Sequence, residues 1–192
     1  MTIYKHYAKN LYYHVYSRGN QKQPIFHQDA DYQRFIKKIE EYQKKYKVDI
    51  LAYCLMPNHF HFLLYQPTKL NINKFMQALL VSHIRYFQKK YNLIGHLFQG
   101  RFRAKIVDSE HYLLQLSRYI HQNPLEAAGN YSDAYLNSYP WSSYYDYVGK
   151  RPLSFVDPDI VLKVFSKMKK SPKLSYQTLV QTPFSDMDNI EI

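Results

Sequence analysis

The stretch DILAYCLMPNHFHFLLY, residues 49–65, decides the fold. Two apolar and aromatic runs, Asp49 to Met56 and His59 to Tyr65, flank the turn residues Pro57-Asn58, so the segment reads as a β-hairpin. Side chains alternate across a strand, which puts His59 and His61 on one face and Phe60 and Phe62 on the other. Two imidazoles about 7 Å apart along a strand can converge on one metal ion. The same pair also fits two half-exposed strand histidines that hold nothing.

Working outward, Tyr12 to Ser17 is aromatic and β-branched and closes on Arg18-Gly19-Asn20, a strand followed by a turn. A helix fills the interval to the hairpin. Tyr32, Phe35, Ile36, Ile39 and Tyr42 recur at helical spacing, Asp29 or Asp31 can cap the start, and Lys44, Lys45 and Lys47 suit the C-terminal end. After the hairpin, about Asn71 to Tyr91 reads as a second helix, with Phe75, Met76, Leu79, Leu80, His83, Ile84 and Phe87 on one broad face. Leu97 to Val107 then reads as a strand, and a third helix starts near Asp108 or Ser109 and ends at Pro124. The order β-α-β-β-α-β plus a helix predicts an α+β fold: a ferredoxin-like four-stranded antiparallel sheet with helices on one face, plus the third helix.

Beyond Pro140-Trp141 the pattern is weaker. Lys150 to Pro158 reads as loop, Asp159 to Met168 as a short helix, Lys169 to Lys173 as a basic linker, and Phe184 to Ile192 as an acidic tail. Lys167, Lys169, Lys170 and Lys173 form a basic stretch that suits either DNA or a solvated helix end. No internal repeat or low-complexity tract is present.

Composition narrows the function classes. A chain of 192 residues has the length of one domain with a small appendage. One cysteine, Cys54, excludes a disulfide framework and points to a reducing compartment. No apolar run suits a membrane span or a signal peptide, so a cytoplasmic protein with no membrane partner is expected. Lys and Arg number 26 against 15 Asp and Glu, a net charge of +11, which suits a polyanion and first of all nucleic acid. Tyrosine is over-used, 21 against 11 Phe and one Trp, which fits base stacking or a phenol in chemistry.

Two further segments carry candidate chemistry. In the third helix, at about 100° per residue, Tyr119 and Asn123 lie within about 40° of each other while His121 projects to the far side. Leu113, Leu116 and Ile120 form the adjoining apolar stripe. The helix thus presents a phenol and an amide together, although the pair also fits a packing tyrosine and a C-cap. In the strand from Gly100 to Ile106, Arg101, Arg103 and Lys105 line one face and Phe102, Ala104 and Ile106 the other. Such a row suits a phosphate backbone, or equally a charged, soluble edge strand.

Five ordered motifs within residues 10–147 resemble the REP-associated tyrosine transposases, of the single-tyrosine HUH class of DNA-nicking enzymes. They are Tyr13-His14-Val15-Tyr16-Ser17-Arg18-Gly19-Asn20, the Met-Pro-Asn-His-Phe-His run at 56–61, Phe98-Gln99-Gly100-Arg101-Phe102, Tyr119-Ile120-His121-Gln122-Asn123-Pro124, and Pro140-Trp141-Ser142-Ser143-Tyr144. The resemblance implies a catalytic domain over 1–147, with 148–192 a basic helical extension and acidic tail. It implies Tyr119 as nucleophile and His59, His61 and Asn123 as ligands of a divalent metal ion, Mg or Mn. Some branches of the family carry Gln at the last position, which leaves Gln122 as an alternative ligand. Arg18, Asn20, Arg101, Arg103 and Lys105 are the expected DNA contacts. The implied activity is cleavage and rejoining of single-stranded DNA beside hairpins of repetitive palindromes, through a covalent 5′-phosphotyrosine. A monomer is expected, with a homodimer as the alternative. Two rival readings stand beside it: a non-catalytic nucleic-acid-binding module whose sheet aromatics stack bases, and a domesticated, inactive transposase acting as a regulator.

Overall fold

The computed structural model describes residues 8–69, 71–129, 132–150, 155–169 and 175–183. The hairpin forms as the pattern dictates, from β2 (Asp49–Met56) and β3 (His59–Gln66), and β1 (Leu11–Arg18) and β4 (Arg103–Val107) complete an antiparallel sheet of order β2-β3-β1-β4. Pro57 and Asn58 turn the hairpin. The Pro57 carbonyl accepts from Ile25 N (2.7 Å) and Phe26 N (3.1 Å), and Gly19 N donates to Asn58 O (2.8 Å), so β1's exit is stitched to the turn. A Cβ on Gly19 would lie 2.0 Å from the Gln23 carbonyl oxygen, which leaves glycine as the residue that fits this close approach.

Helices α1 (Asp29–Tyr46) and α2 (Asn71–Tyr91) cover one face of the sheet. Phe60 and Phe62 point into that layer, where their rings meet Phe35 and Phe75 at 5.9 and 6.5 Å. Both phenylalanines are fully buried, and each contributes roughly 2 kcal/mol from area removed from water. The expected cap of α1 is corrected in detail. Gln28 is the N-cap, and Asp31, two residues inside the helix, accepts from the backbone N–H of His27 (2.9 Å) and Gln28 (3.2 Å). Asp31 also accepts from Tyr86 Oη, Lys90 Nζ and Tyr91 Oη on α2, at 2.7, 2.6 and 2.7 Å, and thereby ties the start of one helix to the end of the other.

The expected strand over Leu97 to Val107 is shorter than its apolar pattern suggests. Tyr16 pairs with Arg103 and Gly19 bridges to Phe98, so two residues of β1 stand opposite four, Gln99 to Phe102. The excess loops out and β4 begins at Arg103. Arg103 and Lys105 share a face, as expected. Arg101 sits in the loop.

The third helix, α3 (Glu110–Ala128), packs on the opposite face of the sheet, against β2 and β3. Ser109 caps it, its Oγ accepting from Tyr112 N. The helix runs through Pro124 and stops only at Gly129, whose φ of 60° is a left-handed cap, which corrects the expected end at Pro124. Proline removes one intrahelical donor, and the burial of Leu125 carries the helix past that loss.

The motif at 140–144 closes the free edge of β2. Leu55 N donates to Trp141 O, Ser143 N donates to Tyr53 O, and the Trp141 ring stacks on Tyr32 with centroids 4.6 Å apart. Short helices α4 (Asp133–Ser138) and α5 (Tyr144–Tyr147) flank this strip. Val156 bridges to Ile50 in parallel register, and α6 (Asp159–Met168) and α7 (Tyr176–Gln181) pack on α3. Helix α6 has the bounds read from its sequence, and Lys167 in it pairs with Glu110 at 2.7 Å. Lys170, Lys173 and the tail from Phe184 lie outside the described residues. No helix among the described residues is long and apolar enough to cross a membrane.

Buried histidines make the fold acid-sensitive. Burial lowers His83 to about 4 and His121 to about 3. Both groups are neutral in the folded chain and titrate near 6.5 when it unfolds, so the unfolded state takes up protons first as pH falls. Stability should therefore be level above about pH 7 and fall below 6.5 by roughly 1 kcal/mol per pH unit for each group, down to the folded values. Urea unfolding followed by circular dichroism between about pH 7.5 and 4.5 measures this; a level free energy across that range would contradict it.

Candidate active site

Alternation along β1 and β3 builds one polar face. Arg18 stands opposite His59 and Tyr16 opposite His61, and directly opposed residues project to the same side. His14, Tyr16 and Arg18 thus line up beside His59 and His61, under α3. From above, α3 presents the phenol and amide expected of it. The Tyr119 ring meets the His61 ring edge-on with centroids 5.3 Å apart, and Asn123 Oδ1 lies 3.3 Å from His59 Nε2. The rings of His59 and His61 are 5.2 Å apart and nearly perpendicular. The structure thus brings together Tyr119, Asn123, His59 and His61, one turn of helix against two alternate positions of a strand.

The hydrogen bonds define which atoms are left for a ligand. Asn58 Nδ2 donates to Lys22 O (3.1 Å), so Asn58 Oδ1 is an acceptor and His59 Nδ1 donates to it at 2.7 Å. Burial holds His59 below its usual pKa, with Arg18 adding to the effect and Asn123 opposing it. The neutral ring therefore directs the lone pair of Nε2 at Asn123. Asn123 Nδ2 donates to the Tyr119 carbonyl (2.9 Å), so its Oδ1 is what faces His59. Two lone pairs confront each other at 3.3 Å, an arrangement relieved when a cation takes both. Their spacing is close to the roughly 3 Å between neighbouring ligands of an octahedral ion with bonds of about 2.1 Å. Among the described residues no three His, Cys, Asp or Glu side chains converge as a metal centre, so any cation held here would have to draw on the Asn123 amide as well.

Gln122, the alternative ligand, is directed away from the histidine pair. Its Nε2 donates to Val180 O (2.5 Å) and Thr182 O (2.6 Å), on the side of α3 away from the histidines. Arg118 donates to Thr182 O and Pro183 O, and His121 Nδ1 lies 2.8 Å from Tyr176 Oη. These three residues anchor the back of α3 while Tyr119 and Asn123 face the sheet. Asn123 is no C-cap, since the helix continues past it.

Beside the cluster lies a cleft of about 470 Å³, lined by Tyr16, Ser17, Arg18, Gln99, Gly100, Arg101 and Arg103. The loop of excess residues opposite β1 forms its wall, so the shortening of β4 is what makes the cleft. Three of the five expected DNA contacts, Arg18, Arg101 and Arg103, line it. Asn20 and Lys105 do not: Asn20 N donates to Leu97 O (2.9 Å), and Lys105 stands opposite His14. Burial raises the Tyr119 phenol above its ordinary pKa and Glu126 adds to this, while the Asn123 hydrogen bond and Arg18 lower it. The phenol is therefore protonated near neutral pH.

Sequence reasoning named neither His14 nor Tyr16 as a site residue. Tyr16 stacks on His61 at 5.7 Å, and His14 Nε2 lies 2.9 Å from His61 Nδ1. The signal was available: both precede Arg18 by even steps on the same strand. Burial pushes His14 down to about 3, and Lys105 acts in the same direction. His61 is likewise held well below its usual value by burial, with His14, His59 and Arg18 adding to it.

An α+β sheet of this order, with a phenol on a helix above a histidine pair and a cationic cleft alongside, defines a ferredoxin-like domain with a tyrosine and histidine site. The sequence profile of the IS200-like transposases matches residues 7–123, and the chain belongs to that family. Among solved structures, a REP-associated tyrosine transposase bound to a REP hairpin superposes with TM-score 0.60 at 16% identity, covering 81% of this chain and 90% of that one. It shares the fold. A transposase candidate from Deinococcus radiodurans gives TM-score 0.43 at 20% identity, covering 62% of this chain and 95% of that one. No curated protein matches the sequence.

Proposed function

We propose that the protein cuts and rejoins single-stranded DNA beside hairpins, as a REP-associated, single-tyrosine transposase with Tyr119 as nucleophile. The observation that carries this is the Tyr119 ring edge-on to His61 above the facing lone pairs of His59 and Asn123. Tyr119 Oη attacks the scissile phosphorus, the P–O3′ bond breaks, and a 5′-phosphotyrosine forms; the phenolic proton ends on the departing 3′ oxygen. One phosphodiester replaces another, so the step is reversible and needs no nucleotide cofactor. Rejoining is the same exchange with a different 3′ end.

His59, His61 and Asn123 would hold a divalent ion, Mg or Mn. When bound, it would polarise the scissile phosphate and stabilise charge developing on its oxygens. Arg18, Arg101 and Arg103 grip the strand through its phosphates, and Arg forks bind such oxygens in pairs. Tyr16, at the rim between cleft and His61, is placed to stack on an unpaired base.

The stacking-module reading finds little support, because Tyr13, Tyr53, Phe60 and Phe62 of the sheet are buried beneath helices or the β2-edge strip. The test is a hairpin-flanked oligonucleotide incubated with the protein and Mn. A covalent protein–DNA band on a denaturing gel, abolished by a chelator, is the expected result. DNA binding with no such band would favour the inactive-regulator reading instead.

A further inference from the structure

We infer that His14 is a positioning residue that sets the tautomer of His61, and with it the capacity of the site to take a cation. This rests on the metal reading above. His14 on β1 and His61 on β3 are diagonal neighbours on one sheet face, since His14 pairs with Leu63 and His61 with Tyr16. Their rings stack at 5.1 Å and 21°, with His14 Nε2 and His61 Nδ1 2.9 Å apart, and both side chains are buried. One proton lies between those two nitrogens.

Two arrangements satisfy that bond. In the first, His61 Nδ1–H donates to His14 Nε2; the His61 lone pair is then on Nε2, and His14 carries its own proton on Nδ1. In the second, His14 Nε2–H donates to His61 Nδ1, and His61 carries its proton on Nε2, where it cannot ligate. Each ring keeps one proton in both. They differ at His61 Nε2 and at His14 Nδ1, a buried atom with no hydrogen-bond partner among the described residues. The first arrangement leaves an N–H there without an acceptor; the second moves that N–H to His61 Nε2, which is not sealed off without a partner as His14 Nδ1 is, and leaves only a lone pair on the buried His14 nitrogen. Orphaned buried N–H groups are the rarer and costlier case. The metal-free protein therefore holds the second arrangement, and a cation selects the first, with His14 changing from donor to acceptor. Ligating histidines in general donate their other ring N–H to such a partner. Here the partner is a second histidine, which can take either role, so cation binding moves a proton on each ring.

Long-range ¹⁵N–¹H NMR of the wild-type protein reads the tautomers directly. Expected is His61 protonated on Nε2 without metal and on Nδ1 with saturating Mg²⁺. Mn²⁺ affinity, read by electron paramagnetic resonance, should fall about 10- to 100-fold in His14→Leu. It should return to within a few-fold of wild type in His14→Gln, whose amide oxygen can accept from Nδ1–H. A His14→Leu protein that binds Mn²⁺ like wild type would overturn the inference, as would a proton on His61 Nε2 in the Mg²⁺-loaded protein. If His14→Leu does not fold, the wild-type spectra decide alone. A wild-type protein with no Mn²⁺ binding that His59→Ala removes would sink the metal reading itself, and this inference with it; that outcome is distinct from normal binding in His14→Leu.

Discussion

Tyr119→Phe should eliminate covalent attachment and cleavage of a hairpin-flanked strand while leaving DNA binding within about two-fold of wild type. Removing a nucleophile that acts with a fixed set of partners costs three or more orders of magnitude in rate. The cationic cleft, to which the proposal assigns binding, includes Arg18, Arg101 and Arg103 in its lining and is untouched by loss of one hydroxyl. The ring itself remains against His61 and His14, at 5.3 and 6.4 Å, so stability should change by less than about 1 kcal/mol. Gel shift, denaturing gel and thermal melt separate the three quantities. Equal cleavage by the Phe variant would remove Tyr119 from the chemistry, and lost binding would mean that the phenol holds DNA instead.

The largest effect on stability is expected at a residue remote from the site. Asp31 is fully buried and receives five hydrogen bonds, from His27 N, Gln28 N, Tyr86 Oη, Lys90 Nζ and Tyr91 Oη. Its burial alone would raise the carboxyl, yet Lys90 and the other donors together hold it well below the usual carboxylate range. Asp31→Ala strands these donors. Lys90, which is 28% exposed, can turn to solvent, but the amides and tyrosine hydroxyls are less able to do so. Leaving these part-buried donors without their acceptor costs about 1–3 kcal/mol, roughly a 5 °C fall in Tm for a chain of this size. Because α1 and α2 lie across the sheet from Tyr119, cleavage at a temperature where the variant is folded should be near normal. A Tm within about 2 °C of wild type would show the hub to be dispensable.

The parts of the fold set by local pattern were legible in the sequence. Alternation with a Pro-Asn turn gave both hairpin strands, and helical spacing gave the bounds of α2 and α6. Where a partner strand or buried contact decided the outcome, local reading failed. Residues 97–102 alternate like a strand, but β1 has two residues for their four, and only the pairing shows the excess. Pro124 carries a strong stop signal, and the buried Leu125 overrides it.

At the site, helical geometry placed Tyr119 and Asn123 together. That Gln122 turns away from the histidines while Asn123 faces them depends on the carbonyls of Val180 and Thr182, about sixty residues away. His14 sat within a quoted motif, but its partner across the sheet depends on a register that β1 alone does not specify.

The central claim is that Tyr119 forms the covalent link. A suicide oligonucleotide, nicked so that the cleaved end diffuses away, traps the adduct; proteolysis and tandem mass spectrometry then locate the modified tyrosine among the 21 in the chain. The expected product is a 5′-phosphorylated nucleotide fragment on Tyr119. Attachment to any other tyrosine, or no adduct from a folded, Mn-loaded protein that binds the same DNA, would contradict it.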